Sequence, residues 1–410
     1  MRACGSARRP LFVSVVTETF PPEVNGVART IGEMVAGLRE RGHRVEVVRP
    51  RQRRDDTPAS APAYAEVLRP GLPIPRYGEL RIGLPAKRAL MARWRDLRPD
   101  VVQVVTEGPL GWTAIAAARQ LDIPAVSEFH TNFHTYSRHY GFGTLAGAVA
   151  SYLRSLHNRS DCTLVPTDQM RRTLEAAGYQ RLRVVERGVD ASLFSPSRRN
   201  SALRTHWGAP RDEPVALHVG RLAPEKGLDL FVEAALAAHA VEPRTRIVLV
   251  GDGPAARRLR ARHGEFVFAG MRFGTDLAEH YASADIFLFP STTETFGNVT
   301  TEALASGLAV AAFDYAAARR HIEHEVSGML APYGDRAAFV ANARRLAADA
   351  GLRDRLKAGA ARVGLSLSWD RVLDDLEAVF RELLERNARM AAAGSRALPG
   401  RTARSDRAAS

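Results

Sequence analysis

Glu294 and Glu302, with seven residues between them, stand on either side of the run Phe296-Gly-Asn-Val299. The apolar stretch Ile286-Phe-Leu-Phe289, closed by Pro290, reads as a buried parallel strand, and a helix is expected to start near Gly297 or Asn298 and to close at Gly307. Glu294 then lies on a loop at the carboxyl end of a strand, and Glu302 about one turn into the helix. The first N–H groups of a helix have no partners inside it and carry roughly half a positive charge, so Phe296, Gly297, Asn298 and Val299 form a cradle for a diphosphate. Carboxylates beside an anion site suit hydroxyls. A diphosphate with polyols on both sides is a nucleotide sugar, with Glu302 on the ribose and Glu294 on the transferred sugar.

Two cations belong to the same chemistry. Gly220-Arg-Leu-Ala-Pro-Glu-Lys-Gly227 follows the strand-like Pro214-Val-Ala-Leu-His-Val219, so Arg221 and Lys226 sit where a departing diphosphate needs positive charge. The chain has only three lysines, Lys87, Lys226 and Lys357, and the one kept here is a flexible point charge that a guanidinium does not replace. In the first half, the strand Pro124–Phe129 delivers His130 to the carboxyl end of a sheet, where parallel folds place ligands and where a histidine can donate to phosphate or hydroxyl near neutral pH. His134 and His139, farther along that loop, read as acceptor contacts or as surface residues. No Asp-x-Asp occurs in the chain, so no metal site for the diphosphate and no cofactor are expected.

The elements that must hold these groups alternate strand and helix. Leu11–Val16, a helix over Ala28–Arg41 with Ile31, Met34, Val35 and Leu38 on one face, and Arg44–Val48 form a β-α-β opening, the start of a doubly wound α/β sheet. Asn25-Gly26 lies where such sheets bring backbone against phosphate, which glycine permits. Residues 50–83 look irregular, with one short strand at Tyr64–Leu68, and form a lip for the acceptor. Leu84–Leu97 reads as a helix carrying Lys87, Arg88, Arg93 and Arg95 beside Leu90, Met91 and Trp94, suited either to a membrane surface or to covering the sheet. The second half repeats the alternation from Glu213, through strands at Arg246–Val250, Phe266–Gly270, Ile286–Phe289 and Ala309–Phe313. The expected division is 1–190, 191–368, a last amphipathic helix over 369–389, and a disordered tail over 390–410 rich in Ala, Gly, Ser and Arg.

The phrase Pro-Ser-x-x-Glu-x-Phe-Gly-x-x-x-x-Glu-Ala-x-Ala-x-Gly, with Gly-Arg-Leu-x-x-x-Lys-Gly upstream, resembles the signature of the retaining family 4 glycosyltransferases. The resemblance reaches from about Leu11 to Arg389. It implies the GT-B fold: two Rossmann-like domains facing across a cleft, with the C-terminal helix crossing back to the first. It also implies that His130 contacts the donor sugar and phosphate region, that Gly26 faces the diphosphate, and that Gly270, Met271 and Arg272 hold the base largely through backbone. Arg187-Gly-Val-Asp190, with Phe194 and Pro196, resembles the family's hinge phrase, except that arginine stands at Arg187 where asparagine is usual. Thr17–Thr30 and Phe129–Phe133 look like the GDP-mannose-dependent α-mannosyltransferase branch, whose neighbours are UDP-sugar-dependent synthases of sulfoquinovosyl and glycosyl diacylglycerols. Retention with no established enzyme nucleophile follows from the resemblance.

Bulk properties limit the classes. The 410 residues suit two domains, and two cysteines, Cys4 and Cys162, without metal spacing fit a reducing, cytoplasmic setting. No apolar stretch approaches the roughly 20 residues that span a bilayer. Residues 1–190 carry 28 Lys and Arg against 19 Asp and Glu, a net +9, and 389–410 carry five Arg against one Asp, leaving 191–388 neutral. A basic first half points to an acidic partner, an anionic phospholipid surface or nucleic acid, although arginine richness can also reflect genome composition. A nucleic-acid binder would not need Glu294, Glu302, Arg221 and Lys226 in one order, so the expected partners are a nucleotide sugar and a lipid-linked or glycolipid acceptor at an anionic membrane face, not nucleic acid. A GT-B phosphorylase or nucleotide-sugar epimerase would share the cleft. An epimerase differs in turning over donor without acceptor.

Overall fold

The computed structural model describes residues 9–23, 25–74, 77–130 and 146–396. Two parallel sheets organise it. In the first half the strands are β1 (Phe12–Val16), β2 (Arg44–Pro50), β3 (Ser60–Ala61), β4 (Tyr64–Arg69), β5 (Gly71–Ile74), β6 (Tyr77–Gly83), β7 (Val101–Val104), β8 (Ala125–Glu128), β9 (Cys162–Val165) and β10 (Leu182–Val184). They run in the order β10-β9-β8-β7-β1-β2-β4-β3, with β5 and β6 as a separate antiparallel pair. In the second half β11 (Val215–Val219), β12 (Arg246–Val250), β13 (Val267–Gly270), β14 (Ile286–Phe289), β15 (Ala309–Phe313) and β16 (Met329–Ala331) take the order β13-β12-β11-β14-β15-β16. Both sheets are wound in two directions from a central strand. The chain reverses beside β1 in one and beside β11 in the other, and such a reversal opens a crevice at the carboxyl ends of the strands.

Central strands such as β1, β14 and β15 are near-continuous apolar runs because helices cover both faces of a parallel sheet. Phe12–Val16 and Ile286–Phe289 are buried along their whole length. On the first helix, Gly26–Glu40, the residues Ile31, Met34, Val35 and Leu38 face the sheet, and Asn25 caps the start with Oδ1 accepting from the Ala28 N–H at 2.8 Å.

Two sequence expectations change and one open alternative is decided. Residues 50–83 are not irregular: the strand expected at Tyr64–Leu68 is β4 and pairs with β2 in parallel, and β5 and β6 pair antiparallel, with Gly83 against Leu110. The basic helix, Lys87–Leu97, turns Leu90, Met91 and Trp94 into the core with Val102, Val104, Leu110 and Ile115, so its apolar stripe covers protein and is not offered to lipid. Its Arg93 holds the buried Glu46 at 2.5 Å. The last helix runs from Trp369 to Arg396, so residues 390–396, expected in a disordered tail, are helical; 397–410 lie outside the described residues, as do Cys4, His134 and His139.

That helix crosses back onto the first half. Val372, Leu373, Leu376 and Phe380 join one core with Val13, Ile31 and Met34, and Arg41 binds Asp374 and Glu377 at 2.6 and 3.0 Å. The linkers between halves also touch, Val189 pairing with Ser368. Phe380 is fully buried, so Phe380→Ala is expected to cost about 3–5 kcal/mol by lost transfer energy plus a cavity. Urea unfolding would read this as a lower midpoint at unchanged slope.

Candidate active site

Glu294 follows β14, and Lys226 lies on the loop after β11, the two strands that flank the reversal in the second sheet. The loop is drawn tight. Pro224–Lys226 make one 3-10 turn ending at Gly227, whose φ is +68° and whose Cβ, if present, would meet the Pro290 carbonyl at 2.6 Å. Only glycine lets the two loops lie so close. Lys226 Nζ consequently reaches Glu294 Oε1 at 2.5 Å, and Ser291 Oγ donates to the same oxygen at 2.6 Å. Burial opposes ionisation of Glu294, but Lys226 and Ser291 outweigh it and hold the carboxyl below its usual pKa. Beneath the pair, burial keeps His218 neutral, its pKa lowered to about 4.

The helix after Glu294 runs Asn298–Ala305, and Gly297 caps it at φ +95°, a left-handed conformation that a side chain resists. Phe296 is buried against His321, and the Glu294 carbonyl accepts from Tyr315 Oη at 2.7 Å. Arg221, on the loop after β11, lies 3.7 Å from Glu225 Oε1 and is partly exposed. Gly270, at the end of β13, has φ +72° and accepts from the Gly251 N–H at 2.8 Å. Met271 is exposed, while Arg272 folds onto its own segment, Nε donating to the Ala269 carbonyl and Nη1 to Asp276. These groups line the carboxyl edge of one sheet, in the order β13, β11, β14.

The first half meets this edge directly. Gly26 begins its helix with open space where a Cβ would stand, and one turn on, Thr30 Oγ1 accepts from Asn298 Nδ2 at 3.2 Å. Arg29 Nη1 donates to Glu302 Oε1 at 2.7 Å, and both residues line a crevice with Glu33, Asp190 and Trp369. Glu302 is buried, and burial lifts its carboxyl above the usual value against the pull of Arg29 and the Tyr281 hydroxyl. His130 lies directly after β8, and its carbonyl accepts from Thr295 Oγ1 at 2.9 Å. The structure thus pairs Lys226 with Glu294 beside the Gly297 helix start, and joins the two halves at His130 with Thr295, Thr30 with Asn298 and Arg29 with Glu302.

Several residues that shape the site escaped the sequence reading. Ser291 sits inside the recognised phrase without a signal of its own. Arg29 reaches a carboxylate 273 residues away, which no local pattern shows. Tyr281 belongs to a helix, Gly274–Ser283, that the reading passed over. Among the described residues no group of three or more His, Cys, Asp or Glu is placed to hold a metal ion.

Two doubly wound parallel sheets facing each other, with a helix start at the carboxyl edge of the second, define a two-domain α/β architecture of the kind that binds nucleotides. Residues 24–193 match Glycosyltransferase Family 4, and residues 213–349 match Glycosyl transferases group 1. Over 388 residues the chain is 36% identical to the GDP-mannose-dependent alpha-mannosyltransferase of Mycobacterium tuberculosis (strain CDC 1551 / Oshkosh), covering 93% of this chain and 99% of that protein. It is 31% identical over 315 residues to the sulfoquinovosyl transferase SQD2 of Arabidopsis thaliana, covering 75% of this chain and 60% of that one. In fold it resembles the sucrose-phosphate synthase of Thermosynechococcus elongatus, with a TM-score of 0.74 at 19% identity over 92% of this chain and all of that one. The chain belongs to the family 4 glycosyltransferases and is a hexosyltransferase.

Proposed function

We propose that this enzyme moves mannose from GDP-mannose, with retention of configuration, to a lipid-linked or glycolipid acceptor at an anionic membrane face. The observation that carries the reading is the Lys226–Glu294 pair beside the Gly297 helix start at the reversal of the second sheet. The mannosyltransferase relative matched along nearly its whole length supports the choice of donor.

On this reading the diphosphate lies on the main-chain N–H groups of the helix start, with Arg221 and Lys226 meeting the charge that grows as the bond to the sugar breaks. Glu294, held ionised, takes sugar hydroxyls. Glu302 takes the ribose hydroxyls once Arg29 yields its oxygen, so donor binding exchanges a cross-cleft ion pair for ligand contacts. The acceptor hydroxyl attacks from the face the phosphate leaves, and the departing phosphate oxygen receives its proton. The protein contributes position and charge.

The membrane part rests on charge. The first half carries +9, and no helix among the described residues is long and apolar enough to cross a bilayer. Cosedimentation with phosphatidylglycerol vesicles is expected and should weaken as salt rises.

A thermal-shift screen tests the donor. GDP-mannose is expected to raise the melting temperature more than UDP-glucose, UDP-galactose or UDP-sulfoquinovose, since a ligand at a hundredfold its Kd adds about 2.7 kcal/mol to a fold that alone binds it. A larger shift with a UDP-sugar would move the assignment to a diacylglycerol glycosyl synthase. Donor turnover without any acceptor would mark an epimerase.

A further inference from the structure

Arg187, the position where the family's hinge phrase carries asparagine, does not face solvent. Its side chain is 6% exposed and reaches the ring of His130 and the carboxylate of Glu128. Nη1 stands 3.4 Å from Glu128 Oε2, while Nη2 stands 3.1 Å from His130 Nδ1 and 3.4 Å from Nε2. A nitrogen at those two distances cannot lie in the imidazole plane without overlapping Cε1, so the guanidinium packs against the ring face. Nε2 is bound in short contact to Glu128 Oε2, and the other Glu128 oxygen accepts from Gln103 Nε2 at 2.5 Å. Glu128, on β8, is fully buried in this cluster.

We propose that Arg187 is a positioning residue that keeps His130 a neutral imidazole, with its proton on Nε2 toward Glu128 and its unprotonated Nδ1 toward Arg187 Nη2, so that the ring stands beside the donor site as an uncharged group. In direct contact with the ring Glu128 and Arg187 already cancel, and an imidazolium would set a second cation against the guanidinium packed on its face, with Glu107 the weakest of the charges acting on it. With asparagine at this position, Glu128 would lose the guanidinium, and the ring would be drawn toward its protonated form, a donor at both nitrogens. The substitution thus changes the charge that the ring carries beside the donor site while leaving the histidine in place.

The charged groups facing His130 among the described residues are Glu128 from β8, Arg187 from the linker after β10, and Glu107 from the loop after β7. Burial and Arg187 lower the histidine's pKa and the two carboxylates raise it; the net direction is down. Glu128, opposed by burial but held by Arg187 and His130, is lowered to about 2. Both agree with the geometry.

The proposal rests on the reading of His130 as a donor-side residue, and its test does not need turnover. The full chain would be labelled with 15N-histidine and titrated by NMR, the His130 signals being assigned by their loss in His130→Gln. The expected spectrum is that of the neutral Nε2–H tautomer from pH 8 to pH 5.5. Arg187→Asn should raise the His130 midpoint by at least one pH unit and introduce a matching inflection in kcat/KM, and Arg187→Lys, which keeps the charge, should leave the midpoint low. A wild-type ring that is protonated at pH 7, a proton found on Nδ1, or an unmoved midpoint in Arg187→Asn would each overturn the proposal. Should Arg187→Asn not fold, the wild-type and Arg187→Lys titrations still decide it. If the NMR result holds while the donor screen fails, the charge assignment survives and only the substrate reading is lost.

Discussion

Glu294→Gln is expected to lower kcat/KM for mannosyl transfer by about a thousandfold, roughly 4 kcal/mol of transition-state stabilisation, while the protein stays folded. The carboxylate oxygen that receives both Lys226 and Ser291 is an acceptor on all its lone pairs. A glutamine keeps the shape but presents an NH2 group on one side and removes the negative charge that fixes the ammonium. Sugar hydroxyls that donate to Glu294 would lose a charged acceptor, and charge-assisted hydrogen bonds are about twice as strong as neutral ones. Calorimetry separates this role from a structural one: GDP should bind the variant about as well as the wild type, while the extra affinity contributed by the mannosyl group should vanish. Transfer within tenfold of wild type would remove Glu294 from the chemistry. The pH profile supplies a second check. Glu294 has a lowered pKa in the folded protein, so its ionised form is present above the ordinary carboxylate range and is lost only as pH falls through the lower, folded value. Wild-type transfer should therefore show no acid limb from this group down to about pH 5.

How much of this was legible in the chain depends on how local the cause is. Most strands of the two sheets could be read because they are short runs rich in apolar residues between turn residues; the edge strands β3 (Ser60–Ala61) and β16 (Met329–Ala331) are too short to leave such a run. Gly297 and Gly227 could be read because left-handed backbone at a loop leaves a glycine in the sequence. The antiparallel pair β5–β6 could not: Gly71-Leu-Pro-Ile74 has no alternation, and the close approach of Gly83 to Leu110 is a tertiary contact. The apolar stripe of helix Lys87–Leu97 was visible, but what it faces is a tertiary fact, and a basic amphipathic helix looks the same whether it lies on lipid or on a sheet. Arg187 shows the limit most plainly. The sequence revealed a departure from the family phrase and placed it at a hinge; only the fold shows the guanidinium packed on His130, because the two residues are 57 apart in the chain. The same holds for Arg29 and Glu302, whose pairing joins the two halves across the crevice. Long-range polar contacts carry most of what distinguishes this site, and they leave the weakest trace in sequence.

Lys226→Ala is expected to cost about a hundredfold to a thousandfold in kcat/KM, with a failure unlike that of Glu294→Gln. The ammonium stands over the Phe289 ring at 5.9 Å and against Glu294, on a turn that Gly227 holds fixed, so its charge is in place before the diphosphate departs. Its removal should weaken GDP itself, because the leaving group loses a cation, whereas Glu294→Gln should spare GDP. It also leaves Glu294 buried with Ser291 as its remaining neighbour in the pair. Burial then raises the carboxyl with less to oppose it, so the residual activity should acquire an acid limb at higher pH than the wild type shows. The direction follows from the signs: Lys226 lowers the Glu294 pKa, its loss raises it, and activity falls as pH drops through the new value. Lys226→Arg should restore the charge but only part of the rate, since a planar guanidinium cannot occupy the point that a single nitrogen takes between the carboxylate and a phosphate oxygen. A variant lacking the lysine that binds GDP as tightly as the wild type, and whose pH profile matches it, would show that the ammonium serves Glu294 alone and that Arg221 and the helix start suffice for the diphosphate.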